Sequence, residues 1–330
     1  MPFRGGLQDA GVMRSPGADT LLSHGEFAPL SALREPQFPG ASRLSYQIGG
    51  ITFGLQAEGE LRLILERELG AFAVEQGACE VNLQIGWVDS LAAPLSTLLF
   101  HSGGLWSLYA EASGYRFSFL SPLLGMTPYK EAWFDAEFCT GRVLLSRRYF
   151  DTQRPVYPLE YPLDELLMIH RLSRGEGVEV HAVGISDEQG RGHLFLGHSG
   201  AGKSTTARLW LDRPGVRILS DDRIILRASD GKIWMYGTPW HGDAGIASPE
   251  SAPLSGIYLL EHGNRNERSL LAPGRAAAEL FTRCFVTHHS GEGIRFTLEF
   301  LDRVAREVPC SIFKFVPDES AVEAICHGGA

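Results

Sequence analysis

An apolar stretch, Leu194-Phe195-Leu196, runs into Gly197-His198-Ser199-Gly200-Ala201-Gly202, and Lys203-Ser204-Thr205-Thr206 follow at once. The spacing is G-x-x-x-x-G-K-[ST], the pattern of a phosphate-binding loop set between a strand and a helix. Gly197, Gly200 and Gly202 let the backbone turn tightly and aim its N–H groups inward. Those donors, with the N-terminus of the helix that follows, suit an anion. Lys203 can reach the β- and γ-phosphates of a nucleotide, and Ser204 can offer its hydroxyl to Mg²⁺. The expected nucleotide contacts are therefore Gly197, His198, Ser199, Gly200, Ala201, Gly202, Lys203, Ser204 and Thr205. The stretch also begins like the G-x-S-x-G elbow of serine hydrolases. That pattern fails at its last position, which is Ala201, and it gives the following Gly-Lys-Ser-Thr no role.

A second acidic element follows closely. Val216-Arg217-Ile218-Leu219 reads as a strand and ends on Ser220-Asp221-Asp222. In α/β sheets, loops at the carboxyl ends of strands line the ligand crevice. Two carboxylates there can divide the work on a γ-phosphate: one as general base toward an acceptor hydroxyl, one holding Mg²⁺ directly or through water. The bland alternative is a solvated turn, or a cap for Arg223. His181, in the strand read just before the loop strand, could hydrogen-bond a carboxylate or a phosphate oxygen. Gly237-Thr238-Pro239-Trp240-His241-Gly242-Asp243 is a turn-rich segment in which Trp240 and His241 could close over a ligand, or simply form a rigid loop. His288-His289 lacks the partner spacing of a metal site.

These residues need elements to hold them. Residues 1–41 are rich in Gly, Pro, Ser and Ala without a period, and read as a flexible arm with a possible short helix around Leu30. A first domain over 42–158 opens with strands on either side of Gly49-Gly50. Leu61, Ile64, Leu65, Leu69 and Phe72 fall at helical spacing. Later runs, such as Glu80 to Ile85 and Tyr115 to Phe119, alternate like strands, so this domain reads as small α/β or mainly β. Its aromatic residues read as core. A second domain over 159–330 begins with an amphipathic helix from Leu163 to Leu172. It continues with a strand from Gly177 to Ile185, the loop strand, a helix from Thr205 to Leu211, and a hairpin across Asp230-Gly231. A helix from Gly293 to Val308 and a strand from Cys310 to Val316 close it.

The 330-residue chain is 44% apolar and 21% charged, with net charge −9 and pI about 5.7. That is ordinary for a globular protein. It lacks the basic face of a nucleic-acid binder, and no apolar run has the length of a membrane span. Cys79, Cys139, Cys284, Cys310 and Cys326 are scattered, odd in number and without C-x-x-C, as expected for reduced thiols in the cytoplasm.

Val180-His181-Ala182, Gly-His-Ser-Gly-Ala-Gly-Lys-Ser-Thr-Thr-Ala, Leu-Ser-Asp-Asp and Gly-Thr-Pro-Trp, taken together, resemble the HPr kinase/phosphorylase C-terminal domain and its relatives. That group is similar in turn to the phosphate-loop core of phosphoenolpyruvate carboxykinases. The resemblance covers about 160–325. It implies an α/β fold, an HPr-kinase-like P-loop core with a smaller N-terminal α/β domain. It implies that Asp221 is the catalytic acid/base with His181 at the same centre. It also implies that Lys203 and Ser204 serve phosphate and Mg²⁺, with Asp222 at a neighbouring acidic position taken as a further metal ligand. The Glu-Ile-Arg-Gly-x-Gly-like segment of HPr-specific members is absent. The chain thus looks more like the divergent relatives, some of which resemble kinases of free serine or of ribosomal peptides.

The expected activity is an ATP- and Mg²⁺-dependent transfer of phosphate to a hydroxyl, chiefly serine, of a peptide, protein or small molecule. A homo-oligomer is compatible with it; nucleic acid and membrane are not expected partners. A nucleotide-binding regulator with weak or no transfer is the alternative. An ABC-type or motor ATPase fits poorly, because no signature motif follows and the acidic pair comes too soon after the loop.

Overall fold

The computed structural model describes residues 40–125, 127–198, 200–211 and 213–326. The arm read over 1–41 therefore lies outside the described residues except at its end, as do the helix around Leu30 and Ser199 of the glycine loop.

The first sheet contains β1 (Arg43–Ile48), β2 (Ile51–Ala57), β3 (Val81–Val88), β4 (Thr97–His101), β5 (Trp106–Glu111), β6 (Gly114–Phe119), β7 (Lys130–Asp135) and β8 (Thr140–Ser146). Their order is β1-β2-β3-β8-β7-β6-β5-β4. The β2–β3 and β3–β8 pairs are parallel and the rest antiparallel. Gly49 (φ +60°) and Gly50 (φ +75°) close the β1–β2 hairpin, both in the left-handed region that a two-residue turn demands. The alternating inward residues, among them Phe53, Leu83, Phe117 and Val143, are buried.

The helical spacing over 61–72 misleads. Only Glu68–Phe72 coils, as one 3-10 turn. Leu61 and Leu63 are both buried with Arg62 exposed between them, a period of two. Leu63 bridges to Ala41 and Val156, so its backbone bonds leave the segment instead of closing a helix. No α-helix occurs before Leu163 among the described residues.

After α1 (Leu163–Leu172) come β9 (Val178–His181), β10 (Val183–Ser186), β11 (Gly192–Leu196), α2 (Lys203–Leu211), β12 (Arg217–Ser220), β13 (Arg223–Ser229), β14 (Lys232–Gly237) and β15 (Ser251–His262). The chain ends with β16 (Glu267–Leu270), α3 (Pro273–Phe281), β17 (Cys284–Phe285), α4 (Gly291–Glu307), β18 (Cys310–Phe315) and α5 (Glu319–Cys326). These strands form a second, ten-stranded mixed sheet, ordered β12-β10-β11-β15-β14-β13-β9-β17, with β18 also on β15 and β16 on β18. The strand read from Gly177 to Ile185 is thus two. It breaks at Ala182: β9 pairs with β13, whereas β10 pairs with β11 and β12.

The long strand β15 joins the two halves of this sheet. Its start pairs with β14, and its later part lies parallel between β11 and β18. The apolar core under the first sheet does not stop there: it takes in Leu163, Leu167 and Met168 of α1 and Ile225 of β13, with Trp240 packed against it. The molecule is therefore a mixed α/β fold with two large mixed sheets. No described helix is long and apolar enough to cross a membrane.

Candidate active site

Strand β11 delivers the chain to Gly197, and α2 begins at Lys203. Gly200 (φ +80°) and Gly202 (φ +101°) take the turn in conformations that side chains disfavour. Gly202 is doubly constrained, because a Cβ there would lie 2.6 Å from Phe315 Cζ at the end of β18. Lys203 folds back over the loop, its Nζ donating to Gly197 O at 2.9 Å and to His198 O at 3.4 Å. Two residues with no sequence signal hold the loop from outside. His262, at the end of β15, donates through Nε2 to Gly200 O at 2.9 Å. Arg283 donates through Nη2 to His198 Nε2 at 3.3 Å, and through Nη1 to Glu279.

The two neighbouring aspartates have different surroundings. Asp221 is buried, and its carboxylate accepts from three backbone amides of the following loop: Gly242 at 2.9 Å, Ala244 at 2.8 Å and Ile246 at 3.4 Å. Asp222 turns the other way. Its Oδ1 accepts from His181 Nε2 at 2.9 Å, and its Oδ2 meets Arg223 Nη1. Strand pairing explains the His181 contact, since β9 and β13 align His181 with Arg223 and the amide of Ala182 donates to Asp222 O at 3.0 Å. The amide of His181 in turn donates to Arg283 O at 2.8 Å. His181, Asp222, Arg223 and Arg283 are thereby tied to one another, and through Arg283 to the glycine loop.

The charges at the centre act on one another. Burial pushes the Asp222 carboxyl up, but the His181 hydrogen bond and the charges of Arg223 and Lys203 outweigh it and hold the acid below its usual range. Burial lowers the Lys203 ammonium; Asp222 opposes this, while Arg283 and Arg223 add to it. Arg223 is the hub. It bonds Glu165 Oε1 at 2.7 Å, lies 3.6 Å from Glu179 Oε1, and sits 4.3 Å over the Phe285 ring. Burial and the adjacent Glu165 carboxylate drive Glu179 well above the ordinary carboxylate range.

Of the remaining residues singled out, Trp240 Nε1 donates to Asp164 Oδ2 at 3.0 Å, which pins the 237–243 segment to α1. His241 is exposed and lines a cleft together with Asp222. His289 is apart from the centre, stacked on His170 with ring centroids 5.1 Å apart. No group of three His, Cys, Asp or Glu side chains fit to hold a metal occurs among the described residues. Arg223 adjoined the aspartate pair in sequence and was legible only as something to be capped. Glu165, Glu179, His262 and Arg283 were not legible at all, because each reaches the centre through tertiary packing.

No protein-family model matches this chain, and no curated protein does. Solved structures do match. The HPr(Ser) kinase/phosphatase from Coxiella burnetii does so at 14% identity over 46% of this chain and 94% of that one, with a TM-score of 0.28. That is a distant likeness of fold.

Proposed function

We propose that the chain is an ATP-dependent phosphotransferase acting on a hydroxyl group of a peptide, protein or small molecule. The observation that carries this reading is a meeting of charges. Lys203, at the start of the helix behind the glycine loop, is near enough to Asp222 for each to shift the other, and Asp222 is held at 2.9 Å by His181. A phosphate-binding lysine and an oriented carboxylate are the two parts that phosphoryl transfer needs side by side.

In the transfer, the acceptor oxygen bonds to the γ-phosphorus as the bond from that phosphorus to the β–γ bridging oxygen breaks. The acceptor proton passes to Asp222, and ADP leaves. The loose transition state asks little basicity of the acceptor's base, so a carboxylate held below its usual range can serve. His181 orients that carboxylate. Asp221, the base implied by the family resemblance, is buried and held by three backbone amides, whereas Asp222 is part-exposed, lines an open cleft and lies near Lys203. We therefore assign proton acceptance to Asp222 and loop anchoring to Asp221. Lys203 and Arg283 bring positive charge to the phosphates.

Mg²⁺ takes hard oxygen ligands and keeps waters and substrate phosphates in its shell, so it needs few protein donors. The hydroxyl of Ser204 fits that requirement. The Asp222 oxygens, engaged by His181 and Arg223, are less open to it. When bound, the ion draws charge from the β- and γ-phosphates.

Lys203→Ala tests the reading. Loss of a charged donor to phosphate should weaken ATP·Mg²⁺ binding at least tenfold in calorimetry, at ~1.5–3 kcal/mol for a hydrogen bond to a charged group. The fold should persist, because the ammonium bonds only loop carbonyls. Unchanged affinity in a folded variant would refute nucleotide binding at this loop.

A further inference from the structure

A cleft of about 350 Å³ opens beside the reaction centre, with Asp222 and Arg223 among its lining residues. Three separate stretches wall it: Glu66 to Leu69 from the segment after β2, Tyr161 to Glu165 at the start of α1, and Pro239 to His241. We infer that this cleft seats the acceptor, and that the acceptor is a short basic peptide segment, a serine or threonine flanked by lysine or arginine. The inference rests on the phosphotransferase reading and narrows its substrate.

Position is the first argument. Asp222 belongs both to the cleft and to the group of charges around Lys203. Lys203 and the described residues of the glycine loop are not among the cleft's lining, so a hydroxyl entering by it meets Asp222 without crossing the loop that would hold the phosphates, as transfer to an acceptor in line with the leaving ADP requires.

Charge is the second. Glu66, Glu68, Asp164 and Glu165 line the cleft with His241, and the one lysine or arginine among its described lining residues, Arg223, is already bonded to Glu165 and Asp222. Lys130, whose charge reaches Glu66, is committed to Glu160 at 3.2 Å. Glu66 and Glu68 have no ion-pair partner among the described residues. The acids feel one another. Burial pushes Glu66 up, and Glu160 and Glu68 add to it. Burial likewise pushes Asp164 to about 7, with Glu165 and Glu66 adding and the Trp240 and Glu165 amide hydrogen bonds opposing. A cationic side chain beside the hydroxyl would relieve that repulsion, whereas an acidic one would meet it in full.

Size is the third argument. The volume falls at the lower end of the ~300–1,000 Å³ typical of small-molecule pockets. That exceeds one free amino acid and suits a few residues of extended peptide. Tyr161, more than half exposed, and Trp240 line the same space and offer aromatic surface to lysine or arginine stems.

The test uses the full chain and three probes: a seven-residue peptide with one serine among lysines, the same peptide with glutamates for lysines, and free L-serine. The lysine peptide should bind at least tenfold tighter than the glutamate peptide by fluorescence anisotropy, and lose that margin as salt rises. Glu66→Gln with Glu68→Gln should weaken its binding about tenfold, the effect of two half-exposed charge pairs. ATP affinity in the same variant, read by calorimetry, checks that it is folded. Equal binding of the two peptides, or no change in the double variant, overturns the cleft assignment. Free serine binding as tightly as the lysine peptide overturns the peptide assignment. If ADP forms with the glutamate peptide while the lysine peptide is inert, the cleft assignment falls and the transferase reading survives. If the lysine peptide binds through Glu66 and Glu68 but no phosphate is transferred, the reverse holds.

Discussion

Asp222→Asn should lower phosphoryl transfer by roughly 10²- to 10⁴-fold, the usual worth of a positioned general base. The substitution keeps the shape of the side chain and one oxygen for His181 Nε2, now 2.9 Å away. It removes the charge and the proton-accepting lone pair. ATP binding should persist, because the loop and Lys203 remain and an anion beside the phosphates is gone. Asp221→Asn is the control, and its effect should fall on stability. An asparagine can accept from one of the amides of Gly242 and Ala244, now at 2.9 and 2.8 Å, but it points an N–H₂ group at the other. One buried donor left without an acceptor costs ~1–3 kcal/mol. Urea unfolding separates the two variants: Asp221→Asn should shift the midpoint, and Asp222→Asn should shift the transfer rate. If Asp221→Asn abolishes transfer at full stability while Asp222→Asn remains active, the assignment is reversed and the role implied by the family resemblance stands.

The second large effect is an acid limb in stability set by His170. This imidazole is buried between α1 and the first sheet, against Phe117 at 5.2 Å, Phe138 at 4.9 Å and His289 at 5.1 Å. Its Nδ1–H donates to Leu166 O at 2.7 Å, and its Nε2 has no hydrogen-bond partner among the described residues. Burial brings the pKa down to about 3; the Leu166 carbonyl opposes, and His289 and Arg174 reinforce. The unfolded chain titrates near 6.5. Since the folded state binds the proton less readily, this group's stabilisation is complete above pH 6.5 and is lost as pH falls toward 3. A gap of that width is worth on the order of 4–5 kcal/mol, of which about 2 kcal/mol is lost by pH 5. His170→Phe keeps the ring and removes the titration. Urea unfolding at pH 7 and pH 5 should show a loss smaller by about 2 kcal/mol in the variant. An identical loss in both proteins would mean that the histidine is not the group responsible.

His170 was legible in sequence only as one position of an amphipathic helix, and its case is general for this chain. Local pattern located α1, the β1–β2 hairpin, the β13–β14 hairpin, the strand that ends on the aspartates and the glycine turn between β11 and α2. In each of these, spacing and turn chemistry are properties of neighbours in sequence. The glycines at 200 and 202, the lysine behind them and two adjacent carboxylates also announced what chemistry they suit. Where the pattern misled, the backbone bonds went elsewhere. Leu61 to Phe72 has helical spacing, yet Leu63 bridges to Ala41 and Val156. Gly177 to Ile185 reads as one strand, yet Ala182 passes the chain from one set of partners to another.

Which aspartate faces the lysine could not be read from two identical neighbours. Successive residues leaving a strand point opposite ways, so only the strand's partners decide. Pairing of β9 with β13 brings His181 to Asp222, while the loop from Gly242 to Ile246 folds back onto Asp221. The long-range contacts of Arg283 and His262 with the glycine loop, and the acidic wall that Glu66 and Glu68 lend to the cleft, have the same origin. They join segments far apart in the chain, and only tertiary packing sets such distances.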